Sequence, residues 1–298
     1  MVPLICMQLS VLLLVIHVVM NFILFLMSLN HFLNIICIKQ ETSIDHFPFL
    51  VSIRRNILEI ENLTAVHTCA GVIFTGDEIL TTASCLHDVQ GNALLRPYSF
   101  TITAGVSDLK EVTNFERFSA LVKIHPRFSL GSLEYDIAVI RLDKHLPINN
   151  KTIAMANLET SEIQEGKPCT IAGWGATAMK PFINLPGKLY TNKVHINKDC
   201  AGFLFFEYNI RIKDTQICAG SNDPNEDTCF QDTGSPLICD NRIVGLANVY
   251  NECKVGKTKG TAYTKVSKYT DFIFGIRGSI SASVKPILWT FIIIKISV

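Results

Sequence analysis

Residues 136–142 read DIAVIRL, and 138–142 within them are a short apolar run that predicts a β-strand. Runs of this kind recur from Phe47 to about Ile276, punctuated by Gly, Asn, Asp and Pro, and no 3.6-residue periodicity persists over a long window there. The pattern predicts an all-β fold. The other predicted strands are 49–53, 71–74, 78–81, 100–104, 118–124, 169–173, 236–239 and 242–247.

The end of this region has a different pattern. Residues 265–276, KVSKYTDFIFGI, place Val266, Tyr269, Phe272 or Ile273, and Ile276 on one face, which predicts a terminal helix. The strands before it are often about 8 to 20 residues apart, a spacing typical of barrels or sandwiches rather than βαβ units.

Composition limits the function classes. The chain has 298 residues, with 27 basic and 26 acidic side chains and a net charge of +1. A nearly neutral chain is not built around a nucleic acid partner. Its 48% hydrophobic and 18% charged residues also exclude collagen, coiled coil, disorder and a polytopic membrane protein.

Both ends of the chain are apolar. Residues 1–38 contain no Lys, Arg, Asp or Glu, and 9–29 is a nearly continuous apolar run. The segment predicts membrane targeting, either as a cleaved signal peptide or as a retained anchor. Residues 278–298 form an apolar extension, a disordered or surface-packed tail rather than a lipid-anchor signal. Between the two ends we predict one domain, 44–277.

The cysteines indicate an oxidising compartment. Eight of the ten fall in the globular part, and none forms the paired CxxC arrangement of zinc or thioredoxin-like sites. We therefore expect disulfides, no metal and no cofactor. Asn62 and Asn150 begin N-x-Thr sequons, which fit a glycosylated, secreted surface.

Six ordered blocks together resemble the chymotrypsin-like serine proteases, over about residues 44 to 277. They are FPFLVSI at 47–53, ILTTASC at 79–85, DIAVIRL at 136–142, AGWG at 172–175, ICAG at 217–220 and CFQDTGSPL at 229–237. The resemblance implies two six-stranded antiparallel β-barrels, a cleft between them and a short C-terminal helix. It also implies the disulfides Cys69–Cys85, Cys169–Cys239, Cys200–Cys218 and Cys229–Cys253.

The resemblance assigns three positions to the catalytic triad. Ser84 stands where the family has histidine, Asp136 where it has aspartate, and Thr233 where it has serine. Serine does not accept a proton near neutral pH as imidazole does. Threonine is a usable nucleophile only beside a competent base. We expect these positions to be inactive.

The rest of the cleft also departs from the family. Gln231 and Thr233 hold the oxyanion-equivalent positions, and Gln231, two residues before Thr233, replaces the family's glycine. Thr261 and Tyr250 replace pocket glycines, Tyr250 in the segment Asn248-Val249-Tyr250. Asp227 matches the pocket-floor aspartate of members that bind Arg or Lys; it is either a structural relict or a working cation site.

Two further residues bear on catalysis. Asp232 matches the aspartate that pairs with a new N-terminal ammonium in activated members, but residues 35–39 lack the usual activation motif, so we expect this partner to be missing. His87, three residues after Ser84, is a turn away from the position of the base and is not expected to replace it.

These observations predict a secreted, non-catalytic serine protease homologue that binds extracellular proteins, such as proteases, inhibitors or cascade components. It would act as a regulatory cofactor or decoy in a proteolytic or immune cascade. One alternative is a weak or atypical serine endopeptidase. Another is a membrane-tethered surface or adhesion protein, which requires that the N-terminal segment be retained.

Overall fold

The computed structural model describes residues 40–59, 62–87, 91–175, 187–197, 211–220, 232–248 and 260–281, without the side chains of 57–66 and 276–281. A two-residue strand comes first, β1 (Gln40–Glu41), which pairs with a strand of the second barrel, Gln40 opposite Thr191.

The first barrel is closed and antiparallel. Its strands are β2 (Leu50–Glu59), β3 (Asn62–Thr75), β4 (Glu78–Thr81), β5 (Phe100–Ala104), β6 (Glu116–Ile124) and β7 (Ala138–Leu142). They are ordered β2-β3-β4-β7-β6-β5, and β5 closes the ring on β2, with Ala104 opposite Val51. Alternate side chains fill the interior, among them Ile53, Ile102 and Ile140.

The second barrel repeats this architecture. Its strands are β8 (Pro168–Gly173), β9 (Tyr190–Ile196), β10 (Gln216–Gly220), β11 (Pro236–Cys239), β12 (Arg242–Ala247) and β13 (Thr261–Lys265). Neighbours run β9-β10-β13-β12-β11-β8, and β8 also pairs with β9, which closes the ring. The predicted all-β fold of two six-stranded barrels is thus confirmed.

A shared apolar cluster joins the barrels. Phe49, Val72 and Leu80 of the first barrel pack in one cluster with Ile238 and Leu246 of the second. The same cluster includes Val266, Tyr269 and Ile273 from the C-terminal helical segment. Ile137, just before β7, also belongs to this cluster, so the cluster fixes the start of β7 beside Asp136.

The helix begins later than predicted and continues further. Lys265 still belongs to β13, Val266–Tyr269 is a 3₁₀ turn, and the α-helix α1 spans Thr270–Ser281. The strand β9 was not predicted. Its sequence, YTNKVHI, has a polar outward face, and of its side chains only Val194 and Ile196 are buried. The short strands β1, β10 and β13 were not predicted either.

Two of the implied disulfides lie in the described residues. Cys69 is bonded to Cys85 in the first barrel, and Cys169 to Cys239 in the second. Cys218 is also disulfide-bonded. Cys200, Cys229 and Cys253 lie outside the described residues.

The structure describes the two predicted glycosylation sites to different extents. Asn150 is exposed, in a turn where the Asn149 side chain accepts hydrogen bonds from three backbone N–H groups. Asn62 begins β3, and its side chain is not described. Among the described residues no helix has the length and apolarity to cross a membrane.

Candidate active site

The cleft brings Ser84 and Asp136 together. Ser84 begins a 3₁₀ turn (Ser84–Leu86) just after β4, and Asp136 lies just before β7. Since β4 and β7 are paired, with Thr81 opposite Ala138, their ends place these two residues side by side.

Two hydrogen bonds connect Ser84 to Asp136. The Ser84 backbone N–H donates to Oδ1 over 2.7 Å, and the Ser84 hydroxyl donates to Oδ2 over 2.8 Å. The hydroxyl therefore uses its single proton on the carboxylate. The Asp136 carbonyl in turn accepts a 2.8 Å hydrogen bond from the Thr264 hydroxyl. Asp136 is thus fixed, but its side chain orients a hydroxyl instead of an imidazole.

Asp136 has an unusual acidity. Burial raises its pKa to about 7, against the hydrogen bonds from Ser84 and Ala83, which favour the carboxylate. A carboxyl with this pKa is partly protonated near neutral pH, whereas an orienting carboxylate has to be charged to stabilise an imidazolium.

Thr233 lies across the cleft, just before β11. Its carbonyl accepts a hydrogen bond from Ala70 N over 2.9 Å, which ties the loop to the first barrel. Gly234 follows at φ +84, and a Cβ there would come within 2.6 Å of Thr81 Oγ1, so this position requires glycine. In the described part of the chain the Thr233 hydroxyl makes no hydrogen bond to Ser84 or to any other base.

His87 is directed elsewhere. Its Nδ1 lies 2.8 Å from the carbonyl oxygen of Ala83, and its ring packs against Phe128 at 5.2 Å between centroids. It does not contact Asp136 or Thr233 in the described structure.

Asp232 has a partner that sequence analysis missed. His67 Nε2 lies 3.0 Å from Asp232 Oδ1, and both side chains are buried. The other ring nitrogen, Nδ1, lies 2.7 Å from the Ser52 hydroxyl. Sequence analysis considered only an N-terminal ammonium as the partner of Asp232; in the structure an imidazole from β3 lies against Oδ1 of this carboxylate.

The second Asp232 oxygen is also engaged. Oδ2 accepts hydrogen bonds from the backbone N–H groups of Trp174 and Gly175, at 2.9 and 3.0 Å. Burial acts to raise the pKa of Asp232, but the His67 charge and these hydrogen bonds outweigh it, so the pKa is lowered. The carboxylate is charged and held between the two barrels.

The sequence carried one signal for this pair. His67 follows the apolar residues Ala65 and Val66 and precedes Cys69 by two residues. A polar ring buried in such an apolar stretch needs a hydrogen-bond partner. No local motif links it to Asp232, which lies far away in the chain and is brought close only by the docking of the barrels.

Part of the predicted pocket is described. Thr261 begins β13 and is buried. Asn248 is only 2% exposed, and among the described residues neither polar atom of its amide has a hydrogen-bond partner. Asp227, Gln231, Val249 and Tyr250 lie outside the described residues. Within the described ranges, no three His, Cys, Asp or Glu side chains are grouped as a metal site would need.

Comparison with known proteins agrees with this architecture. A family model described as Trypsin matches residues 36–273. Trypsin delta of Drosophila erecta is 29% identical over 221 residues, covering 74% of this chain and 79% of that protein. Kallikrein-8 of Homo sapiens is 28% identical over 218 residues, covering 71% and 77%.

A solved structure shares the fold. Neuropsin, described as a serine protease expressed in the limbic system of mouse brain, matches with a TM-score of 0.64 and 24% identity. The match covers 80% of this chain and 98% of neuropsin.

Proposed function

The chain belongs to the trypsin family of serine proteases, and we propose that it is a secreted, non-catalytic member of that family. It binds extracellular proteins, as a regulatory cofactor or decoy in a proteolytic or immune cascade. The observation that carries this proposal is the 2.8 Å hydrogen bond from the Ser84 hydroxyl to Asp136, in the place where a catalytic imidazole would stand.

The size of the expected defect supports the proposal. In a well-studied serine protease, loss of the histidine or of the serine alone lowers kcat about 10⁶-fold. Here both positions are replaced, by Ser84 and Thr233. A hydroxyl whose proton is donated to a carboxylate does not deprotonate a second hydroxyl. An intact two-barrel scaffold without this step retains surfaces for binding other proteins.

The test is reaction of the mature protein with a fluorescent fluorophosphonate, together with hydrolysis of Arg, Lys and aromatic peptide substrates. We expect neither labelling nor turnover. An active trypsin-family protease serves as the positive control, and the Thr233→Ala variant as the matched negative control. Turnover or labelling that disappears in Thr233→Ala would refute the proposal.

A weak endopeptidase is the second candidate, favoured by one observation. Because the pKa of Asp136 is raised to about 7, its carboxylate has the proton affinity expected of a general base at neutral pH. Such an enzyme would lose its activity in Asp136→Asn as well as in Thr233→Ala. The same substrate assay therefore separates the two functions.

The extracellular location is part of the proposal. The disulfides in both barrels suit an oxidising compartment. N-terminal sequencing of the mature protein distinguishes a secreted from a tethered form: a start after the apolar segment supports secretion, and a retained Met1 supports the membrane-tethered alternative.

A further inference from the structure

The first barrel carries an exposed apolar surface away from the cleft, formed by Leu95, Tyr98, Phe118 and Leu121. We call it the Tyr98 patch. The exposed fractions of these residues are 51%, 60%, 38% and 50%. The rings of Tyr98 and Phe118 meet edge to face, with 5.9 Å between centroids. Exposed aromatic rings in contact are a frequent component of protein-binding surfaces.

A bulge in β6 gives the patch its width. The register of β6 against β7 shifts between Ser119 and Leu121, so Phe118 and Leu121 are both exposed while Ser119 and Val122 are buried. In a regular strand, residues three apart face opposite sides. The bulge therefore exposes a second large apolar side chain that the core would otherwise take.

The backbone holds Tyr98 in place. It has φ +63, a left-handed conformation that is uncommon for a bulky side chain. Its N–H donates to the Ser119 carbonyl over 2.6 Å, and its carbonyl accepts from the Asn56 side-chain amide over 2.7 Å. A ring fixed before binding loses little conformational freedom when a partner binds.

Two exposed cations lie beside the patch along the backbone. Arg96 precedes Tyr98 by two residues, and Lys144 follows Asp143, whose backbone N–H donates to the Phe118 carbonyl. Arg117 is next to Phe118 in β6 and therefore faces the other side of the strand. In the described part of the chain neither Arg96 nor Lys144 has a carboxylate partner. The nearby Asp143 carboxylate accepts the Phe118 N–H at 2.9 Å.

We propose that the Tyr98 patch binds a segment of a protein partner that combines carboxylates with at least one aromatic or large aliphatic side chain. The apolar side chain packs on Tyr98, Phe118 and Leu121. The carboxylates pair with Arg96 and Lys144. Charge complementarity favours this partner over a basic segment, and the proposal names the partner chemistry for the binding role proposed above.

The test is selection of a displayed library of random 12-residue peptides on the purified protein. We expect enriched peptides with a net negative charge and an aromatic or large aliphatic residue. The strongest of them is then synthesised, and its Kd is measured by calorimetry. Replacing its acids with Gln or Asn should weaken binding at least tenfold, and raising the salt concentration should weaken the parent peptide in the same direction.

Two variants locate the site. The double variant Tyr98→Asn with Phe118→Thr removes both rings. Asn suits the left-handed conformation at position 98, and Thr suits the strand at position 118. This variant should weaken binding at least tenfold. Arg96→Gln with Lys144→Gln should weaken it several-fold and reduce its dependence on salt. Met155→Ser with Lys151→Gln, at an exposed site elsewhere, is the matched control and should leave the Kd unchanged.

Several results would overturn the inference. These results are a selection that enriches no peptide, enriched peptides that lack acidic residues, and equal binding of the peptide to the two Tyr98-patch variants and to the control. Self-association of the protein that the Tyr98→Asn and Phe118→Thr pair abolishes would assign the patch to a second copy of the chain. Because these measurements do not involve hydrolysis, catalytic activity in the separate substrate assay would refute the non-catalytic role without deciding this inference.

Discussion

His67 Nε2 and Asp232 Oδ1 lie 3.0 Å apart, with side-chain exposures of only 5% and 3%, and they belong to different barrels. The indole of Trp174 packs edge to face on the imidazole, 5.8 Å between centroids, and its backbone N–H donates to the same carboxylate. In activated members of the family that the chain resembles, an N-terminal ammonium is the cation that pairs with this aspartate. Here the His67 imidazole lies against one oxygen of that carboxylate, which ties the Asp232 loop to the first barrel, and two backbone N–H groups hold the other oxygen.

The first prediction concerns this pair. His67→Leu removes the side chain that lies against the buried Asp232 carboxylate, and we expect the free energy of unfolding to fall by about 3–5 kcal/mol. His145→Leu, which changes an exposed histidine, is the control and should have little effect. Urea denaturation at pH 7 measures both.

The pH dependence of the His67 effect gives a second readout. Because the pKa of Asp232 is lowered in the folded state, its ionisation contributes stability above its ordinary value of 3.8, and this stability is lost as the pH falls through the folded value. The difference between wild type and His67→Leu should therefore shrink in acid. A difference that stays constant down to pH 3 would show that the pair acts by packing rather than by charge.

The second prediction concerns Asp136, whose pKa changes in the opposite direction. Since its pKa is raised from 3.8 to about 7, the folded protein holds a proton that the unfolded chain releases between these values. Relative to Asp136→Asn, the wild type should lose stability as the pH rises from about 4 through about 7, by at most about 4 kcal/mol. Urea denaturation across this range measures the loss, with the exposed Asp271→Asn as control. A wild type that instead gains stability over this range relative to Asp136→Asn would contradict the raised pKa.

The Ser84 hydroxyl gives that prediction a matched variant. Its hydrogen bond to Oδ2 favours the charged form of Asp136. Ser84→Ala should therefore raise the pKa of Asp136 further and move the pH transition upward. An unchanged transition would mean that the hydrogen bond does not contribute in solution.

The fold was predictable because it depends on local patterns. Short apolar runs marked β4, β5, β7, β11 and β12 at the bounds that the structure has, and the resemblance supplied their arrangement in two barrels. The strand β9 was missed because half-buried strands with polar outer faces have little apolar signal. The sequence marked His67 as a polar ring in need of a partner, but its pairing with Asp232 could not be predicted, since it depends on how the two barrels dock rather than on any spacing along the chain.

The third prediction concerns the disulfides that the structure leaves open. Cys218 is disulfide-bonded, and the resemblance implies Cys200 as its partner and pairs Cys229 with Cys253. Non-reducing peptide mapping should recover both linked peptides, together with Cys69–Cys85 and Cys169–Cys239. Cys229 linked to any other cysteine would show that the second barrel is misaligned with the family.

The last prediction concerns repair of the triad. Ser84→His with Thr233→Ser restores the family's residues beside Asp136, and we expect peptide hydrolysis to stay near background. We expect Gln231 to disturb an oxyanion donor, and one lost donor is worth about 3 kcal/mol of transition-state stabilisation. We expect Tyr250 to obstruct the pocket as well. Asp232 is occupied by His67 at one oxygen and by two backbone N–H groups at the other.

Adding Gln231→Gly and Tyr250→Gly to this double variant should raise kcat/KM further only when a free Ile-like N-terminus is also engineered, because that ammonium has to compete with His67 for Asp232. Each change answers a separate requirement: charge stabilisation, substrate placement and ordering of the Asp232 loop. The measurement is kcat/KM on Arg, Lys and aromatic peptides for each variant, with Thr233→Ala as the inactive reference. Robust cleavage by the simple double variant would show that the cleft is intact and that inactivity rests on Ser84 and Thr233 alone.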